Sequence, residues 1–166
     1  MEAARGAAET KYIRITTAAS NDIARPGLRI VLSLNIELKP GMRVYGPGVQ
    51  GYIPIDWRLD EGGPAAKRHA FEYPSSEMLR LEAIGETAPV YRARIEIRRE
   101  ITFGQASRLK SLLSPAGAVI VQGSFRYQAC DDRKCYAPEV VPLVWSFKYE
   151  GLDRERAPAE FQHKPN

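Results

Sequence analysis

From Leu28 to Lys39 the chain alternates: Leu28, Ile30, Leu32, Leu34, Ile36 and Leu38 take every second position, with Arg29, Val31, Ser33, Asn35, Glu37 and Lys39 between them. Successive side chains of an extended chain point to opposite faces, so this period of two buries one face and leaves the other largely to water. A helix of the same residues would scatter its aliphatic side chains around the circumference. The segment is therefore predicted to be a half-buried antiparallel strand. Pro26-Gly27 introduces it and Pro40-Gly41 ends it, because proline presets φ for a turn and glycine accepts positive φ.

The same parity returns in Ile53, Ile55, Trp57 and Leu59, and in Tyr91, Ala93, Ile95 and Ile97 opposite Arg92, Arg94, Glu96 and Arg98. It returns again in Val119, Val121, Gly123, Phe125, Tyr127 and Ala129, and in Val141, Leu143, Trp145, Phe147 and Tyr149. Weaker strand candidates lie at residues 12–16, 42–45 and 71–73, and only 105–113 has helical spacing. Many strands without interleaved helices predict an all-β fold, an immunoglobulin-like antiparallel β-sandwich. Trp57 and Trp145 fall on apolar strand faces and are expected in the core.

A chain of 166 residues suits one domain with a sizeable core. The expected division is a flexible N-terminal segment at 1–11, one sandwich at 12–150 and a flexible tail or linker at 151–166. The apolar and charged fractions, 44% and 27%, are those of a globular protein. The net charge of +4 is spread among acids without a basic run, and no recognition motif accompanies it, so nucleic acid is not an expected partner. No stretch has the length of apolar sequence that a membrane helix requires, and the first residues lack the apolar core of a signal peptide. His69 and His163 are the only histidines, too few to complete a zinc site with two cysteines or to position a hydrolytic triad, so no metal is expected.

Two cysteines, Cys130 and Cys135, bracket Asp131, Asp132, Arg133 and Lys134 between the last two strands. Flanking positions of an antiparallel hairpin face each other at about 4.5–5.5 Å between Cα atoms, within the range a disulfide accepts. A six-residue loop adds only about 2 kcal/mol of chain-entropy stabilisation, which makes a structural staple here a weak one. The residues themselves leave open a local structural disulfide, a pair of inert thiols, or a redox pair presented at an exposed tip. Arg133 and Lys134 beside Cys135 favour its thiolate, whereas Asp131 and Asp132 disfavour that of Cys130.

The run YQACDDRKCYAP, Tyr127 to Pro138, followed by Glu139 and the strand VVPLVWSF, resembles the active-site hairpin of the amino-terminal periplasmic domain of the thiol:disulfide interchange protein DsbD. Fainter likeness extends over residues 12–150, through PGMRVYGP (Pro40 to Pro47), Tyr73-Pro74 and VYRARIEI (Val90 to Ile97). The resemblance implies a periplasmic or otherwise extracytoplasmic thiol-disulfide oxidoreductase, with a leader or anchor absent from this sequence. Its disulfide would be reduced by a thioredoxin-like C-terminal domain of a membrane transporter. It would then pass electrons to thioredoxin-fold proteins such as disulfide isomerases and cytochrome c maturation factors. It further implies that Cys130 and Cys135 are the redox pair, with Cys135 forming the mixed disulfide, and that Tyr127, Gln128, Tyr136 and Pro138 build the surroundings. Tyr45 resembles a family aromatic beside the pair. In the stretch corresponding to a family cap loop, residues 81–87, Ile84 stands between Glu82 and Glu86, and no aromatic is present. No cofactor beyond the cysteine pair, no membrane contact except through a fused or partner transporter, and a monomeric state are expected. The competing expectation is a non-enzymatic β-sandwich binding module with an incidental structural disulfide.

Overall fold

The computed structural model describes residues 3–151. Among these, thirteen strands and one short helix follow in the order β1 (Ala3–Glu9), β2 (Ile13–Ala19), β3 (Ile23–Ala24), β4 (Arg29–Leu38), β5 (Arg43–Tyr45), β6 (Asp56–Leu59), β7 (Ala65–Arg68), β8 (Glu77–Leu81), β9 (Glu86–Arg92), β10 (Arg94–Phe103), α1 (Ala106–Ser111), β11 (Ala118–Tyr127), β12 (Ala129–Cys130) and β13 (Glu139–Tyr149). They form a five-stranded sheet, β1-β2-β4-β10-β7, facing a four-stranded sheet, β3-β13-β11-β6, with a third sheet, β12-β5-β9-β8, at one end.

The alternation in β4 is realised as read: Ile30, Leu32, Leu34, Ile36 and Leu38 are buried between exposed or half-buried positions. They pack against the inward faces of β11 and β13, where Val119, Val121, Phe125, Val141, Leu143, Trp145 and Phe147 are buried as their parity predicted. Trp57 and Trp145 stack at 5.6 Å between ring centroids, and the Trp145 indole N–H donates across the sandwich to the Ala18 carbonyl at 3.0 Å. That bond satisfies the one polar atom a buried tryptophan brings with it.

The third sheet is made by strands that overrun the sandwich. After β4 the chain turns at Pro40-Gly41 and continues as β5; after β11 it breaks at Gln128 and continues as β12. The segment read as one strand over residues 91–98 is divided into β9 and β10 at Ala93, which adopts φ of 65°. A left-handed alanine costs about 1–2 kcal/mol. The reversal redirects the chain from the third sheet into the first, and the Ala93 carbonyl accepts the Leu38 N–H at 2.8 Å.

Other expectations are corrected by the pairings that form and those that do not. Ala3–Glu9, expected within a loose end, pairs antiparallel with β2. Residues 71–73 form no strand; Phe71 and Tyr73 lie edge-on to each other, and Phe71 meets Trp57. Of the 53–59 candidate only Asp56–Leu59 pairs, at the edge of the second sheet. Arg99 occupies an inward position of β10 between Ile97 and Ile101, with its guanidinium 4.1 Å from the Phe71 ring centroid and donating to the Trp57 carbonyl at 2.9 Å. The tail expected from residue 151 lies, beyond Gly151, outside the described residues.

Candidate redox site at the end of the sandwich

Cys130 and Cys135 form a disulfide, with their Cα atoms 4.0 Å apart, as directly opposed residues of an antiparallel bridge. The surroundings are more than a simple hairpin. Cys130 belongs to β12, which has left β11 and pairs with β5, placing Cys130 opposite Arg43 and Ala129 opposite Val44. The first cysteine is thus fixed in the third sheet, while the second lies on the returning loop before β13.

Several hydrogen bonds hold this loop independently of the sulfurs. Asp131 N–H donates to the Lys134 carbonyl at 3.0 Å, and the Asp131 carboxylate accepts from the N–H groups of Arg133 and Lys134 at 2.8 and 2.9 Å. The Tyr136 hydroxyl donates to the other carboxylate oxygen at 2.5 Å. Those three donors, led by Tyr136, pull the Asp131 carboxyl down to about 2. The Tyr136 ring lies 4.7 Å from that of Tyr12. The Gln128 side chain spans two segments, donating to the Tyr136 carbonyl at 3.0 Å and accepting the Ile53 N–H at 2.9 Å. Tyr127 donates to Glu139 at 2.7 Å, and its hydroxyl lies 2.8 Å from that of Thr10. Pro138 is exposed. The motif residues Tyr127, Gln128 and Tyr136 therefore shape the loop, and they do so without a hydrogen bond to sulfur.

Tyr45 touches the sulfurs. Its hydroxyl lies 3.2 Å from Cys130 Sγ and 3.1 Å from Cys135 Sγ. Neither sulfur of a disulfide carries hydrogen, so the phenol is the donor. Burial, then the neighbouring Tyr52 and Glu86, push its pKa up to about 12. The hydroxyl therefore keeps its proton across the pH range in which thiols titrate.

Cys130 is buried, with 1% of its surface exposed, in an apolar cluster with Tyr45, Leu81, Ala88 and Val90; Val49, Tyr52, Leu79, Ile84 and Cys135 pack against it in part. Cys135 is only partly covered. Of the two cysteines, Cys135 is therefore the accessible one. Charge favoured the same sulfur in the sequence, but the decisive asymmetry is access: Asp132 is taken up by an ion pair with Arg43 at 2.8 Å and Asp131 by the turn.

The expected cap stretch is the turn joining β8 and β9. Ile84 packs against the cluster, while Glu82 and Glu86 are exposed, Glu82 standing 3.8 Å from Arg80. This turn carries no aromatic, and a different loop brings one to the cluster. Tyr52, between β5 and β6, stacks on Tyr45 with ring centroids 4.9 Å apart. Sequence reasoning missed Tyr52, Val49 and Arg43. The only available signal for Tyr52 was its position in the glycine-rich run that begins at Tyr45. Among the described residues, no three His, Cys, Asp or Glu side chains gather where they could hold a metal ion, and no helix is long and apolar enough to cross a membrane.

No protein-family model and no curated protein matches the chain. Among solved structures, the N-terminal periplasmic domain of ScsB from Proteus mirabilis superposes with a TM-score of 0.57 at 13% identity, over 95% of this chain and 54% of that one. The chain thus spans about half the length of that structure. The Neisseria meningitidis DsbD N-terminal domain in its reduced form matches at 18% identity with a TM-score of 0.44, over 81% of this chain and 85% of that one. The superposition on the ScsB domain concerns the fold: this chain is a β-sandwich domain similar in fold to that periplasmic domain.

Proposed function

We propose that this chain is a thiol-disulfide exchange domain that relays electrons between thioredoxin-like proteins through a reversible Cys130–Cys135 disulfide. One observation carries the reading: the disulfide joins a buried sulfur to a partly exposed one on a loop whose shape is kept by other bonds. A staple would be placed where the loop needed it. Here the turn, the Gln128 bridge and the sandwich core are held by bonds that do not involve the sulfurs, so opening the disulfide should leave them in place.

A thiolate of the reducing partner attacks Cys135 Sγ in line with the sulfur–sulfur bond, which breaks with its electron pair on Cys130 Sγ. The partner's second thiolate then attacks its own sulfur in the mixed disulfide and releases Cys135 as thiolate. Two electrons have entered the domain, two protons follow from solvent, and the partner leaves oxidised. Delivery to an acceptor runs the same steps in reverse. The resemblance of the hairpin supports donors and acceptors of thioredoxin fold: a transporter's C-terminal domain on one side, a disulfide isomerase or cytochrome c maturation protein on the other. It also supports a periplasmic location, no cofactor beyond the two cysteines, and action as a monomer. The competing reading, a binding module with an incidental disulfide, draws on the burial of Cys130, which is that of a structural cysteine.

A trapping experiment separates them. With Cys130→Ser, the remaining Cys135 should form a stable mixed disulfide with a thioredoxin-like protein, visible on non-reducing gels, and Cys135→Ser should give far less. No adduct from Cys130→Ser, or equal yields from the two variants, removes the relay reading.

A further inference from the structure

The exchange reading leaves a chemical difficulty at Cys130. When the bond to Cys135 breaks, the departing sulfur takes the electron pair and becomes a thiolate inside the apolar cluster of Leu81, Ala88 and Val90. An unpaired anion there is costly, and the cost falls on the step that expels it. Of the cations around the pair, Arg43, opposite Cys130 in the strand pairing, gives Nη1 to an ion pair with Asp132 while its buried Nε has no partner among the described residues, Lys134 lies over the Tyr136 ring at 5.0 Å, and Arg133 is exposed. Glu86, on β9, adds negative charge near Tyr45, and Glu82 stands in the preceding turn.

We propose that Tyr45 is the catalytic hydrogen-bond donor of exchange: its hydroxyl, shared between both sulfurs in the oxidised domain, passes wholly to Cys130 as that sulfur leaves. This rests on the exchange reading and adds to it a residue with a stated task. The geometry is already in place, since the hydroxyl stands 3.2 Å from Cys130 Sγ and 3.1 Å from Cys135 Sγ. Bond breaking turns a weakly accepting disulfide sulfur into a strongly accepting thiolate, so the same donor binds more strongly in the transition state than before it. An interaction of that kind accelerates a reaction rather than merely stabilising its start. The phenol does not surrender its proton, because its pKa is held at about 12 by burial and by Tyr52 and Glu86. Cys130 therefore leaves as a hydrogen-bonded thiolate and takes its proton later from solvent. Tyr52 holds the donor in position by stacking on the Tyr45 ring.

Tyr45→Phe keeps the ring, its stack on Tyr52 and the filling of the cluster while removing the hydroxyl. Two quantities are measured. One is the rate at which dithiothreitol reduces the oxidised domain; the other is the Cys130 thiol pKa, from ultraviolet thiolate absorbance in a Cys135→Ser background. Loss of a hydrogen bond to a charged group corresponds to roughly a ten- to hundredfold lower rate, with the thiol pKa raised by about one to two units. A residue needed only for packing would lower the melting temperature and leave the thiol pKa where it was. As a second variant, 3-fluorotyrosine at position 45, of nearly the same shape but more acidic, should shift both quantities in the opposite direction. Rates within about twofold of the parent with an unmoved thiol pKa would overturn the assignment. If Cys130→Ser traps a partner while Tyr45→Phe changes nothing, the relay stands and this inference falls. A strong Tyr45 effect on dithiothreitol reduction with no partner adduct keeps Tyr45 as the donor and removes the relay.

Discussion

Reduction of Cys130–Cys135 should leave the domain folded and only moderately less stable. The perturbation is a reductant, with the double variant Cys130→Ser/Cys135→Ser as its permanent counterpart. The disulfide closes a loop of six residues, positions 130 to 135. Constraint of so small a loop in the unfolded chain is worth about 2 kcal/mol. Little is added in the native state, since the turn is held by the Asp131 carboxylate, the Ala129 carbonyl that accepts the Tyr136 N–H at 2.8 Å, and Gln128. The disulfide makes no cross-link to the sandwich core, centred on Trp57, Trp145 and the buried face of β4. For a domain of this size about 2 kcal/mol corresponds to roughly 4–8 °C in melting temperature. By the same thermodynamic cycle, folding lowers the potential of the pair by only about 40 mV relative to the same cysteines in the unfolded chain. Differential scanning calorimetry with and without reductant measures the first quantity, and equilibration in graded thiol buffers the second. A loss of melting temperature beyond about 20 °C, or a midpoint well below about −300 mV, would mark the bond as a structural staple and refute the reasoning.

Two further predictions concern the scaffold. The depressed Asp131 pKa means that its contribution to the turn is complete above the ordinary carboxylate range and is lost as pH falls through about 2. The amide signals of Arg133 and Lys134 in nuclear magnetic resonance spectra should accordingly titrate in strong acid, and a midpoint near the ordinary carboxylate value would show that the hydrogen bonds are not formed. Gly123→Ala should destabilise the domain by about 1–3 kcal/mol, because a Cβ there would collide with the Arg58 carbonyl oxygen and force β6 from β11; chemical denaturation showing no loss would contradict that packing.

How much was legible beforehand follows from the range of the forces involved. The inward faces of β4, β11 and β13 and the burial of both tryptophans could be read from alternation, because side-chain parity along an extended segment is a local property. The cysteine pair could be read in the same way, since a hairpin sets its flanking residues opposite each other whatever the rest of the chain does. Arg99 lay beyond such reasoning. Parity placed it on the inward face of β10, but an arginine there depends on Phe71 and Trp57 for ring contacts and on the Trp57 carbonyl for a hydrogen bond, and these come from other strands and loops. Ala3–Glu9 has no large apolar side chain and no alternation to mark it as a strand, and it becomes β1 by pairing along the edge of β2.

The sequence by itself determined an all-β chain, the faces of its long strands, and two cysteines within bonding reach across a polar turn. The tertiary structure alone decided which cysteine is partly exposed and which is enclosed, that the Tyr45 hydroxyl reaches both sulfurs, and that Tyr52 from a separate loop stacks on Tyr45. The physical reason is that burial and hydrogen bonding to a given atom depend on every segment packed about it. Periodicity reports only what neighbouring residues on one segment do to each other.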